Sequence, residues 1–151
     1  MAMGEANRRL PRTPHAEKPG PDETVLKKGG ADLQNGWLSR HGDLMITDDR
    51  LVFLPTILDT LLGAKRRAIP LDEISEIERF PVSVKTRMPP GGRRPRMLLH
   101  TTECVYEFMV GDLDSWIDSL ERVYVLRAKK GKTHAPTITR EDYTNLLLVE
   151  D

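Results

Sequence analysis

One cysteine, Cys104, occurs in 151 residues, and that scarcity excludes an internal disulfide and a cysteine-based zinc site. Aromatic residues make up only 5% of the chain, so no row of rings is available to stack on exposed bases. Charge of one sign is missing as well, because 23 Lys and Arg balance 23 Asp and Glu. No global field therefore drives the chain to nucleic acid or membrane, and an electrostatic partner has to be met by a local patch. No apolar run reaches 18 residues and no signal-peptide core or lipidation box is present. These absences predict an intracellular, cytoplasmic protein, with the inner membrane face as a place for peripheral attachment. Nucleophile elbows, phosphate-binding glycine loops and zinc-protease helix motifs are also lacking, so no enzyme activity and no cofactor are expected.

What is present is a run of short alternating segments. Gly42 to Pro55 reads as two strands around Thr47-Asp48-Asp49-Arg50: Leu44 and Ile46 share one face, Leu51 and Phe53 another. Pro55 cannot donate to a ladder and ends the second strand. Before this hairpin, Thr24 to Lys28 predicts a strand with a bulge or bend at Gly29-Gly30, and Asn35-Gly36 signals a turn. After it, Ala68 to Leu71 and Ile74 to Val84 read as further strands. Met97 to Thr101 and Cys104 to Met109 form a second hairpin around Thr102-Glu103. In an apolar strand, Cys104 is expected to be a buried, inert thiol.

Asp112 to about Arg127 is a helix by period: Leu113, Trp116, Ile117, Leu120, Val123 and Tyr124 make one stripe, with Asp112 as N-cap and Lys129-Lys130-Gly131 as the stop. Residues 1–22, rich in proline and arginine and nearly without apolar side chains, predict a disordered arm. Residues 131–151 predict a flexible tail with one short apolar element, Tyr143 to Val149. The domain between them spans 23–130.

About seven strands followed by one amphipathic helix suggest a small, partly open barrel plugged by the helix. The pattern Gly42-x-Leu44-x-Ile46-Thr47-x-x-Arg50-Leu51-x-Phe53-x-Pro55, then Ile69-Pro70-Leu71-x-x-Ile74, then Tyr106-x-Phe108 leading into Trp116, resembles a GRAM domain of the small, single-domain bacterial type. That family belongs to the pleckstrin-homology-like folds. The resemblance covers about residues 23–127 and implies a mainly β, seven-stranded barrel of two near-orthogonal sheets with a C-terminal capping helix. It implies intracellular membrane or protein association without catalysis.

Two loops are the candidate binding elements. The first joins the third and fourth strands and sets Ile57, Leu58, Leu61 and Leu62 beside Lys65, Arg66 and Arg67. The aliphatic spacing is one helical face, which either packs on the barrel or enters a membrane interface where the cations meet phosphate. The second is the loop carrying Lys85, Arg87, Arg93, Arg94 and Arg96, with no acid between Glu78 and Glu103. Five bases at ~1 kcal/mol each give about 5 kcal/mol, roughly 0.2 mM, so useful lipid affinity requires both loops on one side. The expected partner is thus an anionic membrane lipid or a protein, with no nucleic acid. In the protein reading, an extended peptide adds to the fifth strand beside the helix, and the chain's own tail is a candidate occupant. The acidic run Asp72, Glu73, Glu76, Glu78 reads as a solvated strand edge, and no metal is expected.

Overall fold

The computed structural model describes residues 23–35, 38–80 and 95–139. Eight strands appear in order. Val25–Asn35 is β1, Leu38–Thr47 is β2 and Arg50–Pro55 is β3; a short helix, α1, covers Ile57–Leu61. Then come β4 (Arg67–Pro70), β5 (Glu76–Phe80), β6 (Arg96–His100), β7 (Val105–Met109), helix α2 (Leu113–Lys129) and β8 (Thr137–Thr139). All belong to one sheet, ordered β4-β3-β2-β1-β7-β6-β5-β8. The two expected halves are continuous through β1, which pairs with β2 along its length and with β7 only at Asp32 to Gln34. β4 and β8 are the two edges, so the barrel is open, as expected, with one strand more than the seven counted from sequence.

The alternation read in the central hairpin sets its faces. Leu44, Ile46, Leu51 and Phe53 all lie in the core, in register as Leu44↔Phe53 and Ile46↔Leu51. Thr47 closes the turn: its hydroxyl accepts from the Asp49 and Arg50 amides and donates to the Arg50 carbonyl. α2 then lays Leu113, Trp116, Ile117, Leu120, Val123 and Tyr124 into the same core, the stripe that the period predicts. Asp112 occupies the N-cap position, but its side chain makes no cap hydrogen bond and instead accepts from Lys27 Nζ at 3.1 Å.

Gly29 and Gly30 do not bulge. Both stay in register, opposite Leu44 and Asp43, and the irregularity falls between Val25 and Lys27. Gly29 is small for another reason: a Cβ there would lie 3.2 Å from Trp116 Cζ2. The indole fits against bare backbone, and Lys27 Nζ lies over the ring, 4.8 Å from a ring centroid.

β8 is the element that the sequence did not announce. It runs parallel to β5, with Glu76↔Thr137 and Glu78↔Thr139 in register, and Ile138 packs against the core. The expected arm (1–22), most of the basic loop and the apolar tail segment Tyr143 to Val149 lie outside the described residues. Among the described residues, no helix is long and apolar enough to cross a membrane.

Candidate functional site

The sequence-predicted loop between β3 and β4 folds as α1, five residues long. A helix of that length is not stable on its own, so its position depends on what holds it. The holder is Asp59. Its backbone amide donates to Thr56 Oγ1, and its carboxylate accepts from Thr56 Oγ1 at 3.0 Å and from the His41 amide at 2.9 Å. Arg40 adds a guanidinium hydrogen bond to the Leu62 carbonyl at 3.3 Å and lies 3.9 Å from Asp59 Oδ1. Gly63, at φ +100°, turns the chain away after the helix in a conformation that other residues adopt only with strain. The His41 imidazole in turn meets Asp32 on β1 at 2.6 Å.

This arrangement fixes the outward face. Ile57 is 83% exposed, Leu58 68%, Leu61 79% and Leu62 61%. Of the two alternatives that the spacing left, packing on the barrel does not hold: the four side chains do make one helical face, but it points into solvent. Lys65 and Arg66 follow on the surface. Arg67 does not. It is 5% exposed, opposite Phe53 in the ladder, and burial lowers its pKa against the smaller, raising influence of Tyr106 and Cys104.

The second candidate loop divides in the same way. Lys85, Arg87, Arg93 and Arg94 lie outside the described residues. Arg96 is on β6, 2% exposed, with its guanidinium paired to the Glu107 carboxylate. It is a buried partner of the sheet and not a cation that a lipid headgroup can reach. Two further cations are also engaged within the fold: Lys27 is pinned to Asp112 and Ser115, and Arg40 to α1.

Strand directions separate the two loops. β7 is antiparallel to β1, so the β1–β2, β3–β4 and β6–β7 connections leave from one end of the strands, α1 among them. The basic loop leaves β5 and rejoins β6 at the ends away from the β6–β7 turn. Its roots lie by the start of α2: the Val110 amide donates to the Pro95 carbonyl, and Arg79 pairs with Asp114. The two candidate loops thus have their roots at opposite ends of the strands.

The cysteine chemistry is quiet. Cys104 sits in the β6–β7 turn, half-buried, and burial pushes its thiol up, with hydrogen bonding to Tyr106 and Thr101 as smaller opposing influences.

A solved structure with this architecture decides the fold. The Vps36 N-terminal PH domain superposes with a TM-score of 0.54 over 80% of this chain and 94% of its own, at 11% identity. The fold is pleckstrin-homology-like. The hSac2 domain from the human phosphoinositide phosphatase Sac2 agrees, at TM-score 0.55 and 11% identity over 82% and 80% of the two chains. So does the Slm1 PH domain, described as binding ligand in a non-canonical site, at TM-score 0.50 and 16% identity over 66% and 97%. No protein-family model matches the sequence, and no curated protein matches it. What the pleckstrin-homology-like architecture supplies here is a frame of paired strands from which the β3–β4 connection, with α1, projects.

The site residues missed from sequence are Thr56, Asp59 and Arg40. A signal existed for two of them: Thr56-x-x-Asp59 is the spacing of a helix-capping pair. Arg40 carried no local signal, because its target is a carbonyl 22 residues away.

Proposed function

We propose that the chain is a GRAM-like binding module that associates peripherally with anionic membrane through α1. The observation that carries this reading is the aliphatic face of α1, held out of the core by the Asp59 network with Lys65 and Arg66 behind it. Burying one aliphatic side chain is worth about 1.5–3 kcal/mol, and two bases near an anionic surface add about 2 kcal/mol. Three of the four side chains inserting most of their area bring the sum near 8 kcal/mol, about micromolar affinity. That offsets the loss of the basic loop as a partner on the same side. The GRAM assignment is supported by the residues that suggested it: Leu44, Ile46, Leu51, Phe53, Ile69, Leu71, Ile74, Phe108 and Trp116 are all core. Residues 23–130 are taken as the binding domain, with β8 as the part of the tail that returns to it.

Vesicle sedimentation tests the membrane reading. Joint Leu61→Asp and Leu62→Asp substitution, on exposed positions that cost the fold little, is expected to weaken binding to part-anionic vesicles at least tenfold. Lys65→Ala with Arg66→Ala is expected to flatten the salt dependence. Unchanged pelleting of the double aspartate protein would sink α1 as the contact.

A second reading, protein interaction at β5, has its own observation in β8. The edge of β5 is already filled in cis by Thr137–Thr139, with the Thr137 amide donating to the Ser75 carbonyl. Removing residues 132–151 uncovers that edge, and an uncovered edge pairs with other chains. Concentration-dependent self-association of the shortened protein in analytical ultracentrifugation is the expected result; a monomer at all concentrations argues that the edge needs no cover.

A further inference from the structure

On the sheet face turned away from the core, β5 and β6 bring together three side chains that the membrane reading leaves unused. Glu76 and His100 are direct cross-strand partners, and Glu78 lies two residues along β5 on the same face. Their ligand atoms, one imidazole nitrogen and two carboxylate oxygens, all lie within 4.8 Å of one another. His100 Nε2 and the Glu78 carboxylate are already in hydrogen-bond contact. We propose that Glu76, Glu78 and His100 form a binding site for a divalent transition metal of the Zn²⁺ type, with the remaining coordination positions open to water.

Three features of the site favour a metal over a bare charge pair. The donor set is the first. One imidazole with two carboxylates suits Zn²⁺, Co²⁺ or Mn²⁺, whereas Ca²⁺ and Mg²⁺ are served by oxygen alone. Bonds of about 2.0–2.2 Å to a shared ion put neighbouring donors roughly 3–3.5 Å apart, so the widest pair has to close by up to about 1.3–1.8 Å while the hydrogen-bonded His100–Glu78 pair opens, both within the reach of glutamate rotamers.

The backbone beneath is the second. Five consecutive residue pairs from Glu76↔His100 to Phe80↔Arg96 lock the strands in register. The His100 carbonyl accepts from both the Ser75 amide and the Ser75 hydroxyl. A site built on paired strands loses little freedom on closing around an ion.

The third is electrostatic. Glu76 and Glu78 hold two like charges on a partly buried surface, beside half-buried Leu98 in the next strand. A cation held between them offsets their repulsion. Thr139 on β8 donates to Glu76 Oε2 at 3.4 Å, so an outer partner orients one of the carboxylates.

The test is a zinc titration of the full chain against a chromophoric chelator. One Zn²⁺ per chain is expected, with a rise in melting temperature on loading. His100→Ala is expected to weaken binding at least tenfold. Glu78→Gln, which keeps size and hydrogen bonding and so keeps the fold, is expected to do the same. His41→Ala, which removes the other histidine–carboxylate pair among the described residues, is expected to leave affinity unchanged. Absence of a zinc equivalent that competes with the chelator, or binding that survives both His100→Ala and Glu78→Gln, overturns the site.

Discussion

Trp116→Ala is expected to lower the melting temperature by roughly 12–40 °C, the largest effect of any single substitution considered. The indole is 1% exposed and sits where α2 closes over the sheet, against the bare backbone of Gly29. Truncation to alanine removes its transfer free energy and leaves a cavity that a paired strand cannot collapse to fill, at a cost of about 3–5 kcal/mol. For a domain of about 100 residues each kcal/mol shifts melting by roughly 4–8 °C. Lys27 loses its ring contact as well, although its hydrogen bonds to Asp112 and Ser115 remain. Thermal melts followed by circular dichroism check this, and a variant that melts within a degree or two of the parent would remove Trp116 from the centre of the core.

Gly42→Ala is the second. Gly42 pairs with Pro55 at the end of the central hairpin, and a Cβ there would lie 2.2 Å from the Leu54 carbonyl oxygen and 2.7 Å from Pro55 Cα. Both are backbone atoms, so no rotamer change relieves the overlap; β3 has to move off β2. The expected loss is at or above the upper end of the about 1–3 kcal/mol typical of overpacking. Because α1 begins just after Pro55 and is bonded to His41, the same shift should loosen the candidate site. Gly30→Ala is the control: its Cβ would meet only His41 Cε1, at 3.7 Å. Urea melts of the two variants should separate clearly. Equal midpoints would mean that the hairpin tolerates a side chain at position 42.

The contrast between Leu44 and Leu61 explains what was legible in the sequence. Leu44 belongs to a period of two that runs across a hairpin, and a slip of one residue would turn every side chain to the other face, so position and partner follow together. α2 was legible for the same reason, since a stripe repeated over four turns has to meet a core. α1 offers one repeat. Its spacing says that Ile57, Leu58, Leu61 and Leu62 share a face, but the direction of that face is set by Arg40, His41 and Asp59, through tertiary hydrogen bonds that no local pattern encodes. Charge was still less legible. Arg66 and Arg67 are neighbours in a basic triplet, yet strand register turns the second inward. Arg127, placed by the period only as the end of the helix, is buried with Asp72, Asp49 and the Asp48 carbonyl around it. β8 has three residues and no period at all; it exists because the edge of β5 is there to receive it.

The pairing of Asp32 with Met109 has a consequence for how the molecule is made. β1 to β4 are complete by residue 70, but their inner face has no cover until β7 and α2 follow. At about 5–20 residues per second, the 59 residues from Pro70 to Lys129 take roughly 3–12 s to synthesise. For that interval the nascent chain carries a half-sheet rich in leucine, isoleucine and phenylalanine, and closing it requires contacts between segments far apart in sequence, the slowest kind to form. β1 is therefore finished by α2, and a ribosome that stalls between the two leaves a sheet with one side uncovered.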